Sequence, residues 1–140
     1  MAITSAFCTE FKKDLLDALI GTSSGKTIKM ALYTSSASLG AATASYSATN
    51  ETSGTGYVAG GNTLAGQVVA TSGTTAYGDF TDSTWSTSTI TARGCLIYNS
   101  TDSDSAISVH DFGSDKSSSG GAFTVQFPTA DATNAILRLA

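Results

Sequence analysis

The residues best suited to chemistry in this sequence surround its single histidine, His110. Acid–base catalysis by an imidazole needs a carboxylate to orient the ring and a nucleophile within hydrogen-bond reach. Asp111 follows directly, but with 21 Ser and 22 Thr in the chain a hydroxyl near His110 carries little information. An enzyme, such as a small hydrolase, would need His110 and an aspartate to converge in a pocket. The simpler interpretation is a half-exposed strand histidine, so we expect no enzyme and assign no catalytic residue.

Four short segments imitate known binding motifs without their context. Residues 21–27 (GTSSGKT) resemble a phosphate-binding loop, but three residues separate the glycines where four are needed, and a helix precedes where a strand should. Residues 111–113 spell the kinase DFG triplet in a chain too short for a kinase. Residues 54–61 miss the dinucleotide fingerprint by one position, and residues 102–104 (DSD) lack the remaining calcium ligands. We read these segments as turns or strand ends and expect neither a cofactor nor a metal.

The composition also argues against several functions. Charged residues make up 13% of the chain and its net charge is −4, which disfavours nucleic acid because that binding relies on neutralising phosphates. The apolar runs are too short to span a bilayer. The first residues resemble no export signal, and Cys8 and Cys95 do not form a secreted disulfide framework. We therefore expect no membrane partner, reduced cysteines, and synthesis in a reducing cytoplasm.

A helix is predicted over residues 5–20, at the start of the chain. Its apolar side chains recur at spacings of three and four and share one face: Phe7, Phe11, Leu15, Leu16 and Leu19. Thr4 or Ser5 is expected to cap its start and Gly21 to end it in a left-handed conformation. The opposite face is not predominantly basic, so packing of the apolar face on its own domain is favoured over membrane or partner binding.

Strands and turns fill the rest of the chain. Alternation predicts a strand over residues 27–34. Residue content typical of strands, with polar turns at 99–102 and 117–121, predicts further strands over 63–70, 75–80, 89–98, 105–112, 121–127 and 134–139. Residues 35–63 are predicted to be a partly ordered surface excursion, anchored by Leu39, Tyr46, Tyr57 and Val58 and ending in a glycine-rich turn. The chain is thus predicted to be a single domain (1–140). Its fold class is mainly β, an antiparallel sandwich of jelly-roll or immunoglobulin-like type over residues 27–139, with one N-terminal amphipathic helix.

Three rarer side chains suggest contacts. Trp85 is predicted to lie in a loop or edge segment and to plug one end of the sandwich. Arg93 and Arg138 are isolated charges in apolar strands, and each is expected to pair with an aspartate across the sheet or to reach an interface, where arginine is enriched.

Several segments, in this order and spacing, resemble a family of small virion proteins encoded among the structural genes of tailed bacteriophages. They are the opening helix with Phe7 and Phe11, the strand 28–33 (IKMALY), and the segments 53–61, 92–99, 110–113 and 123–128. The resemblance implies a non-enzymatic structural protein of the virion, made in the cytoplasm of a bacterial host. It favours a decoration or cement protein that binds the outside of the capsid shell.

The partners implied are the major capsid protein and further copies of the chain, as a dimer or trimer. The 35–63 excursion and the sheet edges are expected to make these contacts, so that deleting residues 40–52 would release the protein from particles with its fold intact. The alternative is a tail, neck or fibre component in assembly or host adhesion. An exposed aromatic cluster around Trp85 and Tyr57 would favour that alternative.

Overall fold

The computed structural model describes residues 2–140 and consists mainly of β-strands. In chain order the elements are α1 (Thr9–Ile20), β1 (Ile28–Tyr33), β2 (Asn62–Thr63), β3 (Val68–Ser72), β4 (Thr75–Asp79), β5 (Ser83–Asn99), β6 (Ser105–Val125) and β7 (Leu137–Leu139). The strands form two antiparallel sheets, one in the order β2-β1-β5-β6 and the other in the order β3-β4-β7. The predicted fold class, mainly β with one N-terminal helix, is confirmed, and two antiparallel sheets are consistent with a sandwich.

The chain divides into two compact units. The helical unit comprises the chain up to Gly25 with Ala65–Thr81 and Phe127–Ala140, and it contains α1 and the three-stranded sheet. The hairpin unit comprises Lys26–Leu64 and Asp82–Gln126, and it contains the four-stranded sheet. The grouping of residues 1–140 into a single domain stays a prediction.

The hairpin unit is built around β1, which lies between β2 and β5 and is almost fully buried. Because alternate side chains of a strand point to the same face, Ala31 and Tyr33 of β1 meet Leu96 and Tyr98 of β5 in one buried cluster. Partly buried side chains from the 35–63 excursion and from β6 cover this cluster: Ala37, Leu39, Tyr46, Ala106 and Val109.

The helical unit packs α1 against β3 and β4. The helix buries Leu16 and Ile20. A Cβ atom at Gly78 of β4 would collide with the Ile20 side chain, so the missing side chain makes room for this contact. Phe80 and Phe127 add an edge-to-face ring contact at 5.8 Å between centroids.

The predicted C-terminal end of the helix is confirmed, because α1 ends at Ile20 with Gly21 as its C-cap, but the predicted start and the left-handed conformation predicted for Gly21 are wrong. The helix begins at Thr9 with Cys8 as its N-cap, and no side chain caps it, so neither Thr4 nor Ser5 has that role. The first turn closes where the Lys12 N–H donates to the Cys8 carbonyl at 3.3 Å. Gly21 is extended, with φ −61° and ψ 154°, and its N–H still bonds to the Asp17 carbonyl.

The long hairpin differs from its prediction at both strands. The predicted strand 89–98 extends back to Ser83 and includes Trp85, which is therefore not in a loop. The predicted strands 105–112 and 121–127 are joined in β6, because the serines predicted as a turn pair with β5 through register shifts. Partner strands outweigh the turn propensity of Ser and Gly here.

The remaining strands are close to expectation. The predicted strands 27–34 and 75–80 correspond to β1 and β4, while 63–70 is divided between β2 and β3. The C-terminal strand is shorter than predicted, at Leu137–Leu139. The turn at residues 99–102 is confirmed as part of the hairpin connection, in which Ser103 and Asp104 have φ values of 54° and 55°.

The 35–63 excursion is held to the sheet along its length. Isolated bridges join Tyr33 to Glu51, Ser45 to Ser105 and Thr55 to Thr89. The glycine-rich turn at its end is confirmed. Gly56 and Gly61 have φ values of +83° and +77°, and a Cβ atom on either would collide with a backbone carbonyl of β5 or β1. These glycines therefore let the excursion lie directly on the sheet.

Candidate functional site

A carboxylate bonded to tyrosines holds the excursion in the hairpin unit. The Tyr46 hydroxyl donates to Glu51 Oε2, and the Tyr57 hydroxyl to Glu51 Oε1, both at 2.6 Å. The Gly60 N–H donates to the same Oε1 at 2.8 Å. Glu51 is the only charged residue among residues 35–63. A lone acid flanked by tyrosines was the available signal for this network, which the sequence interpretation missed.

The other hydroxyls extend the network to the sheet. Tyr57 accepts the Leu32 N–H at 2.9 Å, and Tyr98 donates to the Gly60 carbonyl at 2.7 Å. The rings of Tyr46 and Tyr98 stack at 4.9 Å. Burial, followed by the bond to Glu51, raises the pKa of Tyr46 and of Tyr57 well above 10. At neutral pH these tyrosines are therefore protonated hydrogen-bond donors, and their bonds hold the excursion against the sheet.

This network changes the expectation for the excursion. Leu39, Tyr46 and Tyr57 are anchors as predicted, but Val58 is 75% exposed and anchors nothing. Deleting residues 40–52 would remove Tyr46 and Glu51, so the deletion would disturb the core and not only a surface loop. We therefore expect this deletion to disturb the fold, so that it would not separate a loss of binding from a loss of folding.

A groove of about 290 Å³ opens in the hairpin unit beside Tyr33, Arg93 and His110. Its charged edge is formed where β6 bulges opposite Ala92 and Gly94. Arg93 Nε lies 3.2 Å from Asp111 Oδ1, and Arg93 Nη1 lies 3.9 Å from Asp115 Oδ1. The prediction that Arg93 pairs with an aspartate across the sheet is confirmed.

In this groove the carboxylate of Asp111 makes bonds that stabilise the fold. Its Oδ1 also accepts the Gly113 N–H at 2.8 Å, and this bond, followed by Arg93, lowers the pKa of Asp111. The DFG-like segment is thus a bulge within β6, so its predicted place at a strand end is wrong.

His110 is bonded to a neighbour on its own strand. Its Nε2 lies 3.0 Å from Ser108 Oγ, and burial lowers the pKa of the imidazole below 6.5. Asp111 points its carboxylate at Arg93 and the Gly113 N–H, so the carboxylate that a triad would need is engaged elsewhere. Cys95, opposite His110 in the register, is buried, and burial raises the pKa of its thiol to about 12. A buried neutral thiol is inert.

Trp85 is a core residue. It is 4% exposed, stacks on Tyr57 at 5.8 Å and meets the edge of Phe123 at 6.1 Å. The aromatic pair singled out for adhesion therefore lies inside the hairpin unit.

Arg138 and the DSD turn have local partners. The Arg138 Nη1 donates to the Thr133 carbonyl, so this arginine does not form the predicted pair across the sheet. Asp102 pairs with Lys26 at 2.8 Å and accepts from Asn99, which explains the acid in the hairpin turn. Within residues 2–140 no three His, Cys, Asp or Glu side chains are grouped to hold a metal.

The largest departure from the sequence prediction is the outer face of α1. The apolar side chains of the predicted helix were expected to pack on their own domain, but Phe11, Leu15 and Leu19 of α1 are 48%, 45% and 49% exposed, and Phe7, just before α1, is 76% exposed. The helix packs on its own unit through Leu16 and Ile20 instead. We call the four exposed side chains the apolar ridge. Ile3, four residues before Phe7, is 97% exposed.

Comparison of the chain with protein-family models, curated proteins and solved structures finds no match. In residues 2–140, α1 is the single helix, and it is too short to cross a membrane.

Proposed function

We propose that this protein is a non-enzymatic structural component of a tailed-bacteriophage virion. In this proposal it is a decoration or cement protein, which binds the outside of the major capsid shell and stabilises it. The resemblance of its sequence segments to phage virion proteins supports this location. The observation that carries the proposal is the apolar ridge, because a row of large exposed side chains is typical of a surface that is covered when a chain is part of a protein assembly.

The rest of the chain suits a protein present in many copies. Ser and Thr account for 43 of 140 residues, and charged residues for 13%, so closely spaced copies repel each other weakly. The Glu51 network and the buried glycine contacts make the excursion rigid, which reduces the entropy lost when a surface is immobilised on a shell. Many small contacts on a symmetric shell then add through multivalency.

The tail, neck or fibre alternative has less support. An exposed aromatic cluster around Trp85 and Tyr57 would have favoured it. Trp85 is instead buried against Tyr57 and Phe123. We keep this alternative as an outcome of the experiment.

The test uses particles assembled without this chain. Purified protein is added, the particles are sedimented, and the bound copies per particle are counted alongside the temperature at which the particles release DNA. Saturable binding of many copies, with a higher release temperature, is the expected result. Binding of only a few copies at the tail would contradict decoration and favour the alternative, and no binding to any particle would reject the virion role.

A further inference from the structure

We infer that the apolar ridge is the interface between two copies of this chain, which pair through α1. The inference deepens the proposed function and rests on it, because it names the surface by which the decoration protein associates with itself. It starts from side chains that the fold leaves uncovered: Phe7, Phe11, Leu15 and Leu19.

The spacing of the ridge determines what packs on it. Side chains four residues apart form an inclined row on a helix, and in the commonest class of helix packing such rows from both helices interdigitate at about −50°. Phe11, Leu15 and Leu19 form a row of this kind on α1, and Phe7, which lies just before the helix, continues it, since the rings of Phe7 and Phe11 are in contact at 5.7 Å. A second copy presents the same row, so a two-fold axis across the ridge satisfies both helices at once.

The exposed area is sufficient for a specific dimer. With Ile3, the ridge presents on the order of 600 Å² of apolar surface, given the usual area of such side chains and their exposed fractions. Pairing two copies would bury about 1,200 Å² in total, which reaches the lower limit for specific protein interfaces. A different protein that offers only one small apolar pocket would bury one side chain of the ridge and leave the others exposed to water.

Charges around the ridge do not prevent pairing. Lys13 and Asp17 pair with each other at 2.6 Å, and Lys12 donates to the Thr74 carbonyl at 2.8 Å within the helical unit. The ridge itself contains no charged side chain, but the exposed acids Glu10 and Asp14 lie beside it, so we expect the dimer to keep both carboxylates at the solvent-exposed rim of the interface.

The test is sedimentation equilibrium of the purified chain and three variants. Phe7→Ser/Phe11→Ser removes half of the row, and Leu19→Lys places a charge at its end, which provides a second test if the double variant folds poorly. Val58→Ser is the matched control, because Val58 is 75% exposed in the hairpin unit. The native chain and Val58→Ser should be dimers, and both ridge variants should dissociate at least about 100-fold more readily.

Cys8 supplies an independent distance measurement. It is exposed while Cys95 is buried, so a spin label attaches at one position per chain. Cys8 lies five residues from the centre of the row, or about 8 Å along the helix axis. A dimer crossing at the ridge should therefore give a label-to-label distance below about 40 Å, which is absent in Leu19→Lys.

The outcomes separate this inference from the proposed function. A native chain that is monomeric at about 100 μM, a micromolar threshold typical of weak pairs, overturns the inference, as do ridge variants that remain dimers. A monomer whose ridge variants no longer bind particles would show that a shell protein covers the ridge, which also overturns it but leaves the virion role standing. A ridge-dependent dimer that binds no particle would support the inference and reject the virion role.

Discussion

Replacing Glu51 should destabilise the protein more than its position in an irregular segment suggests. In the native chain its carboxylate accepts bonds from Tyr46, Tyr57 and the buried Gly60 N–H. Glu51→Ala leaves these three donors without their acceptor, while Glu51→Gln keeps one acceptor oxygen and removes the charge. The pair of variants therefore separates the loss of the acceptor from the loss of charge.

The magnitude follows from the three bonds. A hydrogen bond to a charged group contributes about 1.5–3 kcal/mol, and water replaces part of this where the site is half-buried. We expect Glu51→Ala to lower the free energy of unfolding by about 3–5 kcal/mol and Glu51→Gln by about 1–3 kcal/mol. Asp14→Asn, which changes an exposed acid on α1, should cost less than about 0.5 kcal/mol.

The assay is urea unfolding followed by the fluorescence of Trp85. This is the only tryptophan, and it stacks on Tyr57, so its emission reports directly on the network. A Glu51→Ala variant that loses less than about 1 kcal/mol would refute the role of the network, because that value is within the range of one ordinary neutral hydrogen bond.

Three further predictions concern the glycines, the tyrosines and the thiols. Gly61→Ala should lower the free energy of unfolding by more than about 2 kcal/mol, because the added Cβ would meet the Met30 carbonyl. Gly25→Ala, at a similar φ but in open space, should lower it by about 1 kcal/mol. Equal losses of the two variants in denaturant unfolding would contradict the close approach of Gly61 to β1. Burial raises the pKa of Tyr33 and of Tyr98 to about 12. Below about pH 10 the folded and unfolded states both keep these protons, so the free energy of unfolding does not depend on them. Between about pH 10 and 12 only the unfolded state loses them, so the free energy of unfolding should fall by up to about 1.4 kcal/mol per pH unit for each tyrosine. Denaturant midpoints that stay constant to about pH 12 would contradict this prediction. One thiol per native chain, Cys8, should react with a maleimide, and Cys95 should react only after unfolding, as mass spectrometry would show.

The strand pattern was predictable because it depends on local alternation. β1 lies where Ile28, Met30 and Leu32 alternate with Lys29, Ala31 and Tyr33, and tertiary contacts agree with that pattern. β6 was predicted in two pieces because its Ser and Gly residues favour turns. They form strand only because β5 supplies a partner across the register, and a distant partner is invisible to local propensity.

The same limit explains the errors at the candidate sites. The apolar face of α1 was identified correctly, but a helical pattern shows which side chains share a face and not what covers them, so its exposure was missed. Glu51 was missed because its partners lie five to nine residues away in a segment without periodicity. Arg93 was recognised as a cross-sheet ion pair because a lone charge in an apolar strand needs a partner.

The central claim is that this chain decorates a phage capsid, and symmetry-resolved electron cryomicroscopy of the parent particle tests it most directly. We expect many copies on the outer shell, in contact with major capsid subunits and paired with each other through α1. Density for the chain confined to the tail, neck or fibres, or its absence from the particle, would contradict the account.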